Sequence, residues 1–246
     1  MQGKEVHLFP VVLREYHADI THNTDKVIEF LKTYPAMQSN IPEGVITTRP
    51  DLHKCENEYV DELFGFFEEC LQEYRVHYKL YCEELKITLG WANHAPAGSG
   101  FGHPLHRHPM SYLSAVYYLT DGAPTFFDDP CTPRVYDTLD VWYHDKMESD
   151  WGINEKVDAE AGKLIIFPSW LKHYSGRQME DYDRWTISFN AFPNGAVNQD
   201  LGICHNYTLN YEVFEDTLTL PSGKSRVAKR LITKFPKNIG EFREHL

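Results

Sequence analysis

Apolar and polar positions recur with two different periods along this chain, and the change between them marks its organisation. From Asn57 onward, Tyr59, Leu63, Phe66, Phe67, Cys70 and Tyr74 follow helical spacing and form one face of an amphipathic helix. Upstream, Val27, Ile28, Leu31 and Tyr34 predict a shorter helix that Asn23 or Thr24 can cap and Pro35 stops. Before it, residues 6–13, VHLFPVVL, read as an edge strand, because Pro10 has no N–H to give a ladder.

At residues 85–94, LKITLGWANH, the period falls to two. Leu85, Ile87, Leu89 and Trp91 alternate with Lys86, Thr88 and Gly90, as in a half-buried strand. Further strands are predicted over 112–120, 124–128, 163–168, 171–174 and 184–192. Helices first and a meander of short strands afterwards predict an α+β fold, with the N-terminal helices packed on one face of a β-sandwich or barrel. The tail from 193 contains NYTLNYEVF and DTLTLPSGKSRVAKR, read as a hairpin followed by a basic, solvated stretch. Residues 1–195 are expected to form the domain and 196–246 a C-terminal extension packed on it.

Composition narrows the partners. Apolar residues make up 42% and aromatics 14%, enough to build a core. A net charge of −12 repels phosphate backbones and anionic membrane surfaces, so neither nucleic acid nor a membrane is expected as a partner. The 5 cysteines are spread without a CxxC pair, which suits reduced thiols. Pro10 interrupts the first apolar stretch, making a poor signal peptide, and no window approaches the roughly 20 apolar residues of a membrane span. The expectation is a cytoplasmic protein, its oligomeric state open.

Three stretches carry chemistry. In LHRHPMSYL, strand alternation would point His106 and His108 to one side, as a pair of imidazole ligands for a divalent first-row metal. GKLIIFPSWLKH delivers His173 just beyond a strand and a Pro turn, where it could complete a triad with open positions for substrate and oxygen. In DRWTISFN, Arg184, Thr186, Ser188 and Asn190 share one face, with Trp185, Ile187 and Phe189 on the other. An inward guanidinium needs an anion; a carboxylate held by the Arg184 fork and the Ser188 hydroxyl would supply it, and so would a structural Asp.

Together LHRHPMSYLSAVYYL, FFDDP, GKLIIFPSWLKH and RWTISFN resemble, in order, the 2-oxoglutarate- and Fe(II)-dependent oxygenases of the prolyl-hydroxylase-like superfamily. VHLFPVVL and WANH resemble that branch's early strands, so the likeness spans about residues 6–192. The resemblance implies a double-stranded β-helix, or jelly-roll, core and a dioxygenase using Fe(II), with 2-oxoglutarate as cosubstrate and succinate and CO2 as products. It implies His106, His108 and His173 as metal ligands, His106 and His108 standing on a core strand. It also implies Arg184 and Ser188 as the cosubstrate clamp, with Tyr117 adding a hydroxyl and Asn93 lining the pocket. The prime substrate would be a small molecule or peptide, and molecular oxygen the oxidant.

One departure stands out: most of the superfamily has Asp or Glu where this chain has His108. Either the site is three-histidine, or a carboxylate enters from elsewhere, with Asp129 the first candidate and catalytic residue of choice and Asp128 the second; a turn role for Asp129 before Pro130 is the plain alternative. His103, in the loop AGSGFGHP, His94 and His144 are not assigned to the metal. Residues 134–152 and the aromatics Tyr112, Trp142, Tyr143, Trp151 and Trp170 are candidates for substrate contacts or for plain core packing. Two other readings stay open: a three-histidine cupin without 2-oxoglutarate, and a non-catalytic barrel holding a small acid on Arg184.

Overall fold

The computed structural model describes residues 11–18, 23–37, 44–130 and 154–197, and the paths of two later strands. The expected strand at 6–13 falls outside the described residues up to position 10, and 11–13 are irregular. The first strand among the described residues is β1 (Arg14–His17), an edge strand that lies beyond the predicted range.

Helix α1 (Thr24–Thr33) starts after Asn23, whose amide does not cap it but donates to Glu62 at 2.9 Å. Helix α2 (Glu58–His77) is capped as its sequence requires: the Asn57 side-chain oxygen accepts from the N–H groups of Tyr59 and Val60 at 3.1 and 3.2 Å. Its buried face is Val60, Leu63, Phe64, Phe67, Cys70, Leu71 and Tyr74, so Tyr59 and Phe66 of the predicted stripe lie at the margin.

The described strands form two sheets. The larger holds β1, β2 (Ile46–Thr47), β3 (Cys82–Ala95), β4 (Leu113–Tyr118), β7 (Lys163–Pro168) and β9 (Arg184–Val197). Strands β10 (Tyr207–Thr219) and β11 (Ser225–Lys234) extend it as a hairpin from the end of β9; the segment expected to be a solvated basic stretch is itself the second hairpin strand. The smaller sheet runs β6–β5–β8, with β5 (Gly122–Asp128), β6 (Asn154–Ala159) and β8 (His173–Ser175). The sequence reading had no strand at β6.

Two apolar layers hold this together. Phe67 of α2 lies 5.2 Å, ring to ring, from both Tyr117 and Phe189, in a cluster that takes in Leu85, Ile87, Leu113, Trp185 and Ile187. Each such side chain fully buried contributes about 1.5–3 kcal/mol. A second cluster, with Tyr118, Phe127, Ile165, Phe167 and Leu171, fills the space between the sheets. The arrangement is an α+β jelly roll with helices on one face, as expected.

One irregularity positions the site. Ile87 pairs with Ala191 but Leu89 pairs with Asn190, so β3 carries an extra residue at Thr88. Such a bulge reverses which face later side chains meet. Leu85 and Ile87 face the helices, as does Ala92 after the bulge, while Trp91 and Asn93 turn into the space between the sheets. The uninterrupted alternation predicted from Leu85 to Trp91 is therefore corrected at Thr88.

Candidate metal centre and its pocket

Between the sheets lies a pocket of about 480 Å³, counted to its open mouth, lined among others by Trp91, Asn93, His103, His106, His108, His173, Arg184, Thr186 and Ser188. At one side, the ligand atoms of His106, His108 and His173 all lie within 4.8 Å of one another. The local chain differs from expectation. His106 and His108 do not stand on a regular strand; the segment is extended but irregular, tied by a reciprocal backbone pair between His106 and His173 at 2.9 Å each way. The N–H of His108 donates to Ser169 C=O at 3.0 Å, in the turn between β7 and β8.

The carbonyls around the triad orient its rings. Nδ1 of His173 meets Leu171 C=O at 2.9 Å and Nδ1 of His106 meets Pro104 C=O at 2.7 Å. A carbonyl only accepts, so each Nδ1 carries the proton and each Nε2 presents a lone pair. Nε2 of His108 stands 3.2 Å from Nε2 of His173. Two ring nitrogens this close need a proton or a cation between them. Burial pushes the pKa of His173 down to about 4, helped by neighbouring His106 and opposed by the Leu171 bond, which favours the neutral ligand form. The donor set of neutral imidazoles fits a divalent first-row ion such as Fe(II).

Opposite, Arg184 is buried, and desolvation lowers its pKa. Its Nε donates to Ala123 C=O at 2.9 Å, and the guanidinium stands over the Tyr118 ring at 5.8 Å. Its two terminal nitrogens have no partner, and no carboxylate pairs with it, among the described residues. Ser188 and Thr186 line the same pocket, and the Asn93 amide reaches Ser188 Oγ at 3.5 Å. The predicted faces of β9 hold: Trp185, Ile187 and Phe189 go to the helix side.

Two expectations fail. Tyr117 pairs with Ile187 on β9 and packs against Phe67, so its hydroxyl belongs to the helix side and burial raises its pKa to about 12. The inward tyrosine is Tyr118, which pairs with Thr186 and donates to Thr125 Oγ1 at 2.7 Å. Asp129 does not line the pocket and is not in the imidazole cluster, and neither is Asp128; the inward positions of β5 are Thr125 and Phe127. His94 stacks on Trp185 at 4.3 Å, with Nε2 3.0 Å from Asp183. Tyr112 and Trp170 are exposed, at 42% and 52%. His144, Trp142, Tyr143, Trp151 and the whole of the expected substrate segment, 134–152, lie outside the described residues.

A residue given no role from the sequence does enter the site. His103 lines the pocket half-buried, and desolvation, with Arg184, His106 and His173 nearby, lowers its pKa to about 4.

Residues 90–190 match the protein family described as "Putative 2OG-Fe(II) oxygenase". The matched stretch contains the imidazole triad, Arg184 and Ser188. The fold is similar to that of a prolyl-4-hydroxylase from Pseudomonas putida, with 15% identity and a TM-score of 0.51 over 75% of this chain and 94% of that one. It is also similar to HygX from Streptomyces hygroscopicus, whose structure holds nickel and 2-oxoglutarate (13% identity, TM-score 0.51, 74% and 83% covered). A third likeness is to SnoK, an alpha-ketoglutarate-dependent carbocyclase of nogalamycin biosynthesis (11% identity, TM-score 0.56, 80% and 87% covered). No curated protein matches the chain in sequence.

Proposed function

We propose, from the premise that this chain is a 2-oxoglutarate- and Fe(II)-dependent oxygenase of the family matched by residues 90–190, that it hydroxylates a C–H bond of an organic substrate with release of succinate and CO2. One observation carries the reading. Three imidazoles with converging ligand atoms share a pocket with a buried guanidinium that no carboxylate of the described residues neutralises.

His106, His108 and His173 would hold Fe(II). Arg184 and Ser188 would take the remote carboxylate of 2-oxoglutarate, a charge-assisted fork that compensates the desolvated guanidinium. When both are bound, the iron and its cosubstrate supply with dioxygen the oxidising power that breaks the C–H bond. The chain's own share is orientation and exclusion of water. Carbonyls of Leu171 and Pro104 fix two of the imidazole rings, Ala123 C=O fixes the Arg184 fork, and Trp91 and Phe167 wall the pocket. A three-histidine cupin without 2-oxoglutarate leaves the unpaired Arg184 unexplained, since an unpaired buried charge costs several kcal/mol.

The test is spectroscopic and chemical. Adding 2-oxoglutarate to the Fe(II)-loaded protein without oxygen is expected to produce a new visible absorption band, and admitting oxygen to release succinate slowly even without a prime substrate. Arg184→Ala should shift the 2-oxoglutarate titration to much higher concentration. Iron binding with no band and no succinate would overturn the reading. Product analysis after a succinate-release screen of metabolites and peptides separates hydroxylation from ring closure.

A further inference from the structure

The segment that carries His103 is tied to the smaller sheet. Gly100 N–H donates to Gln178 C=O at 2.9 Å, Gln178 N–H to Phe101 C=O at 2.9 Å, and Ser175 N–H to His103 C=O at 3.3 Å. The His103 N–H is held in turn by Ser175 Oγ at 2.7 Å. This loop is thus tied by backbone hydrogen bonds to β8 and to the residues just after it, and is not a free lid. Gly102 makes the approach possible: a Cβ there would meet Ser175 O at 2.7 Å and Gly176 O at 2.8 Å. The backbone of His103 is pinned on both sides, and its ring is braced edge-on by Phe101 at 5.1 Å.

The ring itself has nothing to hold. Neither nitrogen of His103 has a hydrogen-bond partner among the described residues, and His103 lines a pocket whose other polar residues include the triad, Arg184, Ser188, Thr186 and Asn93. Of the charged or chargeable groups facing it, the Arg184 guanidinium only donates and the Nε2 lone pairs of His106 and His173 converge on the candidate metal site, so the acceptor for a His103 N–H is left to a ligand. The ring is half-buried and borders the pocket, where a ligand acceptor can reach it.

We propose that His103 is a positioning residue for the cosubstrate: it donates a ring N–H to the carboxylate that Arg184 grips. It takes the place of the hydroxyl that Tyr117 was expected to add to the clamp of Arg184 and Ser188. The inference rests on the 2-oxoglutarate reading above and adds to it a residue, a neutral donor tied to the opposite sheet from Arg184. With donors held by two sheets, the pocket would select a 2-oxo acid that carries a second carboxylate at the right distance.

The test measures binding, not turnover, on the whole protein loaded with Fe(II) in the absence of oxygen. Calorimetric titrations with 2-oxoglutarate and with oxalate, which offers a metal chelate but no remote carboxylate, are compared for the wild type, His103→Leu and His103→Asn. The expected result is a 2-oxoglutarate Kd raised about tenfold or more in His103→Leu and partly restored in His103→Asn, which keeps a neutral donor. Oxalate affinity and iron content should stay unchanged in both. A 2-oxoglutarate Kd unmoved in His103→Leu overturns the proposal, and so does an equal loss for both acids, which would place the effect at the metal. If His103→Leu does not fold, the His103→Asn to His103→Ala comparison decides by the same ratio. A wild type that binds oxalate and not 2-oxoglutarate would instead sink the cosubstrate reading itself, a distinguishable outcome.

Discussion

His108 Nε2 lies 3.2 Å from His173 Nε2, although the two residues stand 65 positions apart in the chain. The contact makes His108 part of the imidazole cluster, in which neither Asp129 nor Asp128 takes part. Replacing His108 or His173 with Ala should lower Fe(II) affinity by more than the roughly 10–100-fold that loss of an outer-shell partner costs. Asp129→Asn should leave iron content as in the wild type. Metal analysis after gel filtration checks both. Normal iron in His108→Ala together with depleted iron in Asp129→Asn would mean that the carboxylate is the ligand after all.

The helix faces, most strand positions and the identity of the triad and of Arg184 are readable from the chain because each is a local pattern or a short motif. What is not readable is register. Tyr117 and Tyr118 are adjacent and both aromatic, and only the pairing of Tyr117 with Ile187 and of Tyr118 with Thr186 decides which one turns away from the helices into the second apolar cluster. A one-residue slip exchanges the two faces of a strand. The same holds at Thr88, where an inserted residue turns Trp91 inward. His103 was hidden for a different reason: a Gly- and Pro-rich loop gives no sign that it will be tied to β8.

Tyr117 should therefore matter to the fold and not to the cosubstrate. Its ring packs on Phe67 at 5.2 Å and is 1% exposed. Tyr117→Phe is expected to keep the 2-oxoglutarate Kd within about twofold of wild type, while Tyr117→Ala should cost about 3–5 kcal/mol of stability through the cavity it leaves. Denaturant unfolding and ligand titration of the two variants give the comparison. A large rise in Kd for Tyr117→Phe would return the hydroxyl to the clamp.

Acid should loosen the fold at a place remote from the clamp. His53 sits against Phe64 at 6.2 Å, with Nδ1 buried and unpartnered among the described residues, and its pKa is lowered to about 4, mainly by burial and then by Lys54. A lowered histidine pKa means that the unfolded chain binds the proton more readily. Stability is then fully present above about pH 6.5 and is lost as pH falls toward 4, by about 3 kcal/mol at most for this one group. Melting temperatures between pH 7 and 4.5 should fall less steeply in His53→Leu than in the wild type. Parallel curves would show that His53 does not contribute.

Gly122 should control the Arg184 fork through simple contact. Its φ is +145°, and a Cβ there would lie 3.0 Å from Gln178 Oε1 and 3.1 and 3.2 Å from Arg184 Cγ and Cδ. Gly122→Ala thus strains the backbone and pushes the side chain whose Nε must still reach Ala123 C=O. The backbone part costs about 1–3 kcal/mol. A fork displaced by a few tenths of an ångström loses two-point geometry on a carboxylate, so the 2-oxoglutarate Kd should rise about fivefold to tenfold with iron affinity unchanged. Gly98 supplies the control: its φ is +61°, but nothing lies within 4 Å of a Cβ there, so Gly98→Ala carries backbone strain without contact. It should lower the melting temperature and leave the Kd alone. If both substitutions weaken 2-oxoglutarate binding equally, general destabilisation is the cause and the contact between Gly122 and Arg184 is not.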